Sequence, residues 1–147
     1  MFELKGKSAL VTGATGNIGR AIAQALHGQG ATVALTGRNE AALQSLAEEL
    51  RGNTDVFVAN LADPHAIEDL LDAVSDSLGG IDILVNNAAF GIGADRVPIT
   101  ELDPDIFQKV VNVKVTGTYL CSKAVAKQLI SQNQGGKIIN VSSGFGK

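Results

Sequence analysis

"VTGATGNIGRA", residues 11–21, sets Gly13, Gly16 and Gly19 between a run of apolar residues and the start of a helical pattern. A glycine motif alone says little; its setting decides here. "SALVTG" (8–13) reads as a buried strand closing on glycine. "NIGRAIAQALHGQG" (17–30) reads as a helix with Ile18, Ile22, Ala25 and Leu26 on one face and Gly28 and Gly30 ending it. A strand that turns through glycines into a helix turns backbone N–H groups toward an anion, and the helix dipole adds positive character there. Gly13 serves the tight turn, Gly16 the close approach of a pyrophosphate, and Gly19 the packing of helix on strand.

The same alternation continues outward. "ATVALTG" (31–37) is a second strand, and "NEAALQSLAEELRG" (39–52) a helix capped by Asn39, striped by Leu43, Leu46 and Leu50, and stopped at Gly52. "DVFVAN" (55–60) is a third strand, and "DPHAIEDLLDAVSDSLGG" (63–80) a helix started by Asp63 and Pro64. "IDILVNNAA" (81–89) is a fourth strand running into a loop, from Phe90 to Leu102, that holds Gly91, Gly93 and Pro98. Residues 103–132 read as one long helical region bent near Gly117, and "GGKIINVSS" (135–143) as a fifth strand. Strands alternating with helices predict an α/β fold: a Rossmann-type doubly wound parallel sheet in three α/β/α layers, strand order 3-2-1-4-5, incomplete after the fifth strand. Such sheets bind ligands beyond the carboxyl ends of their strands, where Gly13, Arg38, Asn60, Asn87 and Ser143 fall in turn.

The 147 residues suit one domain over 1–147, with 45% hydrophobic and 18% charged residues, a balance that forms a core rather than a disordered chain. A net charge of −3 without clustered Lys or Arg argues against a nucleic-acid surface. Cys121, the single cysteine, reads as a small buried apolar side chain in a reducing compartment. The first residues show no charged-then-apolar leader, and no run approaches the ~18 apolar residues of a membrane span, so the expected location is cytoplasmic, away from membranes. His27 and His65 are expected on the surface or at caps, "DPD" (103–105) as a helix cap rather than a metal site, and Glu48, Glu49, Asp69, Asp72 and Asp76 on solvated helix faces; no metal is expected.

Four motifs, in order along the chain, resemble the short-chain dehydrogenase/reductase family: "TGATGNIG" (12–19) its cofactor turn, "NNAA" (86–89) the element after its fourth strand, Asn112 its helical asparagine, and "IINVSS" its fifth strand ending in a serine. The opening "GKSALVTGATGNIG" is similar to the 3-oxoacyl-acyl-carrier-protein reductase type. Asn17 stands where most such reductases have glycine, a change asparagine suits because it tolerates positive φ, and Ala89 replaces another usual glycine. The spacing of Gly13, Gly16 and Gly19 also matches the family's extended branch, which keeps a nucleotide-sugar epimerase as an alternative.

The resemblance implies a dinucleotide held by Thr12, Gly13, Thr15, Gly16, Asn17, Ile18 and Gly19, with Asn60 and Leu61 bordering the adenine and Asn87 and Ala88 the nicotinamide side. An acid at the end of the second strand would bind the ribose hydroxyls and repel a 2′-phosphate; Gly37 stands there instead and Arg38 follows, which favours NADP over NAD. Ser143 would hold a substrate carbonyl and Asn112 a proton-relay water, since hydride transfer builds negative charge on oxygen that must be stabilised and protonated. Ser142 is the weaker candidate, pointing to the opposite face of a regular strand.

The family's tyrosine and lysine follow that serine, whereas Tyr119 and Lys123 precede it, and Tyr119 lies roughly 10 Å of helical rise beyond Asn112. Tyr119 is therefore expected to pack, and Lys123 to be a partly exposed stem. The expected activity is reduction of a ketone or oxidation of a secondary alcohol by a homo-oligomer acting on a small molecule. These 147 residues would be a cofactor-binding part truncated before the catalytic tyrosine and lysine, and inactive alone. A catalytically inactive dinucleotide sensor is the other class of protein that fits. The fifth strand is expected to be left as an exposed edge.

Overall fold

The computed structural model describes residues 3–90 and 93–143, so Gly91 of the anticipated loop lies outside the described residues. Strands β1 (Ser8–Thr12), β2 (Thr32–Gly37), β3 (Thr54–Val58), β4 (Ile83–Asn86) and β5 (Lys137–Asn140) form one parallel sheet in the order β3-β2-β1-β4-β5. Between them run α1 (Asn17–Gly28), α2 (Glu40–Leu50), α3 (Pro64–Leu78), α4 (Pro104–Val111) and α5 (Thr118–Gln132). The central strands β1, β2 and β4 are mostly apolar because both faces of the sheet are covered there, whereas the edge strands β3 and β5 are only partly buried. Val33 and Leu35 pack with Ala23 of α1 and with Leu43 and Leu46 of α2. Leu10 and Ala34 face the other way, against Ile67, Leu70 and Val74 of α3 and Cys121 and Val125 of α5.

The anticipated caps form. Asn39 Oδ1 accepts the Ala42 N–H at 3.0 Å, Asp63 Oδ1 the His65 N–H at 3.0 Å, and Asp103 Oδ1 the Asp105 N–H at 2.7 Å. Each satisfies an N–H that its helix leaves without an intrahelical partner. At the amino ends of β1 and β4, Asp82 accepts from the Ser8 N–H at 2.9 Å and from Lys7 Nζ at 3.3 Å, while Ser8 Oγ donates to the Gly80 carbonyl at 2.7 Å. Burial pushes the Asp82 carboxyl upward, but the Ser8 N–H and Lys7 outweigh it and hold it below the ordinary carboxylate range.

Several expectations are corrected. The buried line of α1 is Gly19 and Ala23, with Ile22 and Leu26 half-buried beside it, whereas Ile18 and Ala25 are exposed; only small residues fit where α1 lies close on the sheet. It is Arg51, at φ +57, that adopts the left-handed cap of α2, one residue before Gly52. Glu49 is exposed but not merely solvated, since it takes Arg20 Nη1 at 2.5 Å and Gln24 Nε2 at 2.7 Å across the α1–α2 seam. His27 brings Nε2 within 2.7 Å of the Gly52 carbonyl oxygen on that seam. The long helical region is three pieces: α4, a π-helical segment over Asn112–Gly117, and α5. Gly117 is buried against the chain after β3, where a Cβ would lie 3.2 Å from the Leu61 carbonyl oxygen and 3.3 Å from that of Asn112. β5 is shorter than expected and, among the described residues, pairs with β4 alone and is largely exposed.

Candidate functional site

A cavity of about 490 Å³ opens over the carboxyl ends of the strands. One wall is the glycine turn, with Gly13, Thr15, Gly16, Asn17, Ile18 and Gly19; the others are Gly37 at the end of β2 with Arg38 after it, Asn60 and Leu61 after β3, and Asn87 and Ala88 after β4. Every residue assigned to the dinucleotide from the sequence therefore lines this one space, except Thr12. Thr12 lies beneath it, and its hydroxyl ties the glycine turn to the β4 loop: Oγ1 accepts the N–H groups of Asn87 at 2.9 Å and Ala88 at 3.0 Å and donates to the Val85 carbonyl at 3.1 Å. Asn87 Nδ2 completes the tie by donating to the carbonyls of Thr12 at 3.0 Å and Gly13 at 3.1 Å.

Close backbone approach explains two of the glycines. Gly13 has φ +63, and a Cβ there would lie 2.8 Å from Ala88 Cα; a Cβ on Gly19 would lie 2.2 Å from the Gly13 carbonyl oxygen. Gly16 is free of such contact, with nothing nearer its Cβ position than the Gly13 oxygen at 3.5 Å. It is the N-cap of α1, at φ −73, and no side chain caps that helix, in contrast to α2, α3 and α4. The first N–H groups of α1 are thus left for a ligand or solvent, on the wall of a cavity, with no acidic residue in the first turn. The open glycine cradle and these uncapped amides fit the diphosphate of a dinucleotide.

Arg38 is exposed at the rim, and Asn60 Oδ1 holds its own loop by accepting the Ala62 N–H at 3.1 Å. Asn112 and Ser143 are not among the described residues lining the cavity. Asn112 opens the π segment, with Oδ1 accepting from Gln108 Nε2 at 2.8 Å, and it is the next residue, Val113, that reaches the cavity. Ser143 stands exposed, three positions past the end of β5. Ala59, Phe90 and Val113 also line the space and were missed, since nothing in a sequence separates an apolar residue on a cavity wall from one in the core.

Tyr119 departs from the packing expected of it. It is 58% exposed, and its ring carries Lys123 Nζ at 5.6 Å from the centroid, a surface cation–π contact. Cys121 is fully buried, and burial pushes its thiol up to about 11. Among the described residues no three His, Cys, Asp or Glu side chains gather as a metal would require, and no helix is long and apolar enough to cross a membrane.

The order of strands, the cradle and the cavity define a dinucleotide-binding α/β architecture, and the family model described as short chain dehydrogenase matches residues 7–147. The chain belongs to that family. Among its relatives, Nodulation protein G of Rhizobium meliloti (strain 1021) is 43% identical, over 97% of this chain and 57% of its own length. The 3-oxoacyl-[acyl-carrier-protein] reductase FabG of Rickettsia conorii is 41% identical, over 97% of this chain and 56% of its own. A crystal structure of a metagenomic short-chain oxidoreductase in complex with NADP superposes with a TM-score of 0.90 at 34% identity, covering 98% of this chain and 64% of that one. The chain thus spans little more than half the length of the curated relatives it matches.

Proposed function

We infer that this chain is the NADP-binding part of an oxidoreductase that interconverts a ketone and a secondary alcohol, with 3-oxoacyl compounds as the substrate class. The observation that carries the reading is the uncapped start of α1 over a glycine cradle, inside the cavity at the strand ends. The relative named as a 3-oxoacyl-[acyl-carrier-protein] reductase and the neighbour solved with NADP support the substrate class and the cofactor.

In this reading the N–H groups of Asn17, Ile18 and Gly19 bind the diphosphate, Thr15 and Gly16 line it beside them, the Gly16 N–H being held by the Gly13 carbonyl, and Thr12 holds the turn against Asn87 and Ala88. Asn60 and Leu61 border the adenine, and Arg38 offers its guanidinium fork to the 2′-phosphate. When bound, the dinucleotide supplies or accepts the hydride. Ser143 holds the substrate oxygen by hydrogen bond and Asn112 orients a relay water. The proton donor is not Tyr119, whose exposed ring lies on α5, away from the cavity wall. Residues 1–147 alone are therefore proposed to bind cofactor without turnover. Exposed Phe107, Val115 and Tyr119 along α4, the π segment and α5 support a homo-oligomer joined through this region.

Fluorescence titration with NADPH and NADH tests the cofactor assignment on the wild type and on Gly37→Asp. A Cβ at Gly37 meets only ordinary contacts, 3.7 Å to Leu43 Cδ2 and to Thr15 Oγ1, so the variant should fold. NADPH should bind about tenfold or more tightly than NADH, and Gly37→Asp should abolish that preference by repelling the phosphate. Equal affinities in the wild type would defeat the assignment. Turnover of a 3-oxo ester by the native-length protein tests the reaction; cofactor binding without turnover there would instead favour the sensor reading.

A further inference from the structure

Asn86, the last residue of β4, is 7% exposed and carries two amide hydrogens that need acceptors. Both are placed. Nδ2 donates to Ser122 Oγ on α5 at 3.0 Å and to Asn140 Oδ1 on β5 at 2.8 Å. Asn140 is the register partner of Asn86 and the last residue of β5, and the Val141 N–H continues the ladder by donating to the Asn86 carbonyl at 2.9 Å.

β5 has little else to hold this end. It is four residues long, largely exposed, and paired only with β4 among the described residues. Its start is fixed separately, since a Cβ on Gly136 would lie 2.4 Å from Leu129 Cδ2 and 2.7 Å from the Asp82 carbonyl oxygen, so only glycine fits that slot. Backbone bonds in a parallel ladder are alike from residue to residue, and a side-chain bond to a buried partner distinguishes one position from the next.

We propose that Asn140 and Ser122 are positioning residues for Ser143: Asn140 pins the end of β5 to buried Asn86, Ser122 orients the amide that does so, and Ser143 is held at a fixed height three residues on. The proposal rests on the role given above to Ser143. Neither residue lines the dinucleotide cavity, so the pin should act on the carbonyl side of the reaction and leave cofactor binding alone.

The test compares Asn140→Val, which removes the acceptor, with Asn140→Asp, which keeps one, in the native-length protein with NADPH and ethyl 3-oxobutanoate. Asn140→Val should lower kcat about tenfold, equivalent to ~1.4 kcal/mol, with NADPH Kd within about twofold of wild type. It should also speed hydrogen exchange at the Val141 amide, and Asn140→Asp should restore both. An unchanged kcat, or an Asn140→Asp variant as impaired as Asn140→Val, overturns the proposal. Should Asn140→Val not fold, Ser122→Ala is read in the same way, with a smaller loss of kcat in the same direction and an unchanged Kd. If the wild type turns over no 3-oxo ester, the functional reading falls, while Val141 exchange still decides whether the pin exists.

Discussion

Gly19→Ala and Gly16→Ala, two residues of the same turn changed in the same way, should fail differently. In Gly19→Ala the new methyl would sit 2.2 Å from the Gly13 carbonyl oxygen, 2.9 Å from its carbon and 2.7 Å from Asn87 Nδ2. None of these can move cheaply, because Thr12 and Asn87 tie the turn to the β4 loop. Alanine gains about 1 kcal/mol of helix propensity over glycine. Against that stand ~1–3 kcal/mol of overpacking and about 1 kcal/mol for each of the Asn87 bonds displaced, leaving a net loss of roughly 2–4 kcal/mol. For a chain of this length that lowers Tm by about 4–16 °C. In Gly16→Ala the methyl meets nothing nearer than 3.5 Å and the backbone is already at φ −73, so the fold should lose only about 0.5–1 kcal/mol at the N-cap. Its methyl does, however, stand on the cavity wall between a ligand and the α1 amides. Loss of one hydrogen bond to a charged group is worth ~1.5–3 kcal/mol, so NADPH affinity should fall about ten- to a hundredfold. Thermal unfolding by circular dichroism and NADPH titration separate the two effects. A Gly19→Ala protein that melts with the wild type, or a Gly16→Ala protein that binds NADPH unimpaired, would refute the division of labour within the turn.

Thr36 Oγ1 is the one fully buried side-chain polar atom without a partner among the described residues, so Thr36→Val should raise stability by about 1 kcal/mol; a lower Tm would mean that the hydroxyl has a partner after all. Asp82, held below its ordinary pKa, contributes stability that is present above the unfolded carboxylate value near ~4 and is lost as pH falls through the lower folded value. Asp82→Asn should therefore lower Tm at pH 7 and flatten the acid limb of Tm against pH, and parallel acid limbs would exclude this role. With its thiol pushed up to about 11, Cys121 should resist a thiol reagent at pH 8 in the native state and label at once in denaturant; rapid native labelling would contradict its burial.

The strands were legible because each carries a short, mostly apolar run bounded by turn residues, and their order because strands alternating with helices leave few right-handed arrangements of a parallel sheet. The caps were legible for a local reason: Asn39, Asp63 and Asp103 bond N–H groups two or three residues away, within reach of a single stretch of chain. What escaped the reading depends on contacts between distant segments. The π segment ends at Gly117, where the helix meets the carbonyl of Leu61, and nothing in residues 112–117 announces that neighbour. Ile18 fits the apolar period of α1 yet is 59% exposed, because the first turn of that helix overhangs the cavity rather than the core. Tyr119 was assigned to packing by its type, but its position on α5 turns it outward.

The gathering of the site follows from the same sheet that hides its details. Apolar packing is non-directional and tolerates small shifts, which suffices for the strand interiors. Where the strands end the chain must hold loops in place, and polar residues replace apolar ones: Thr12 closes β1, and the register partners Asn86 and Asn140 close β4 and β5. Thr12 fixes the β4 loop against the glycine turn, and Asn86 fixes β5 against α5. These bonds depend on direction as well as distance, so each holds one backbone segment relative to another more tightly than packing could. A sequence shows that polar residues close the strands, but the choice of partner, such as Asn140 for Asn86, is made only once the strands lie side by side.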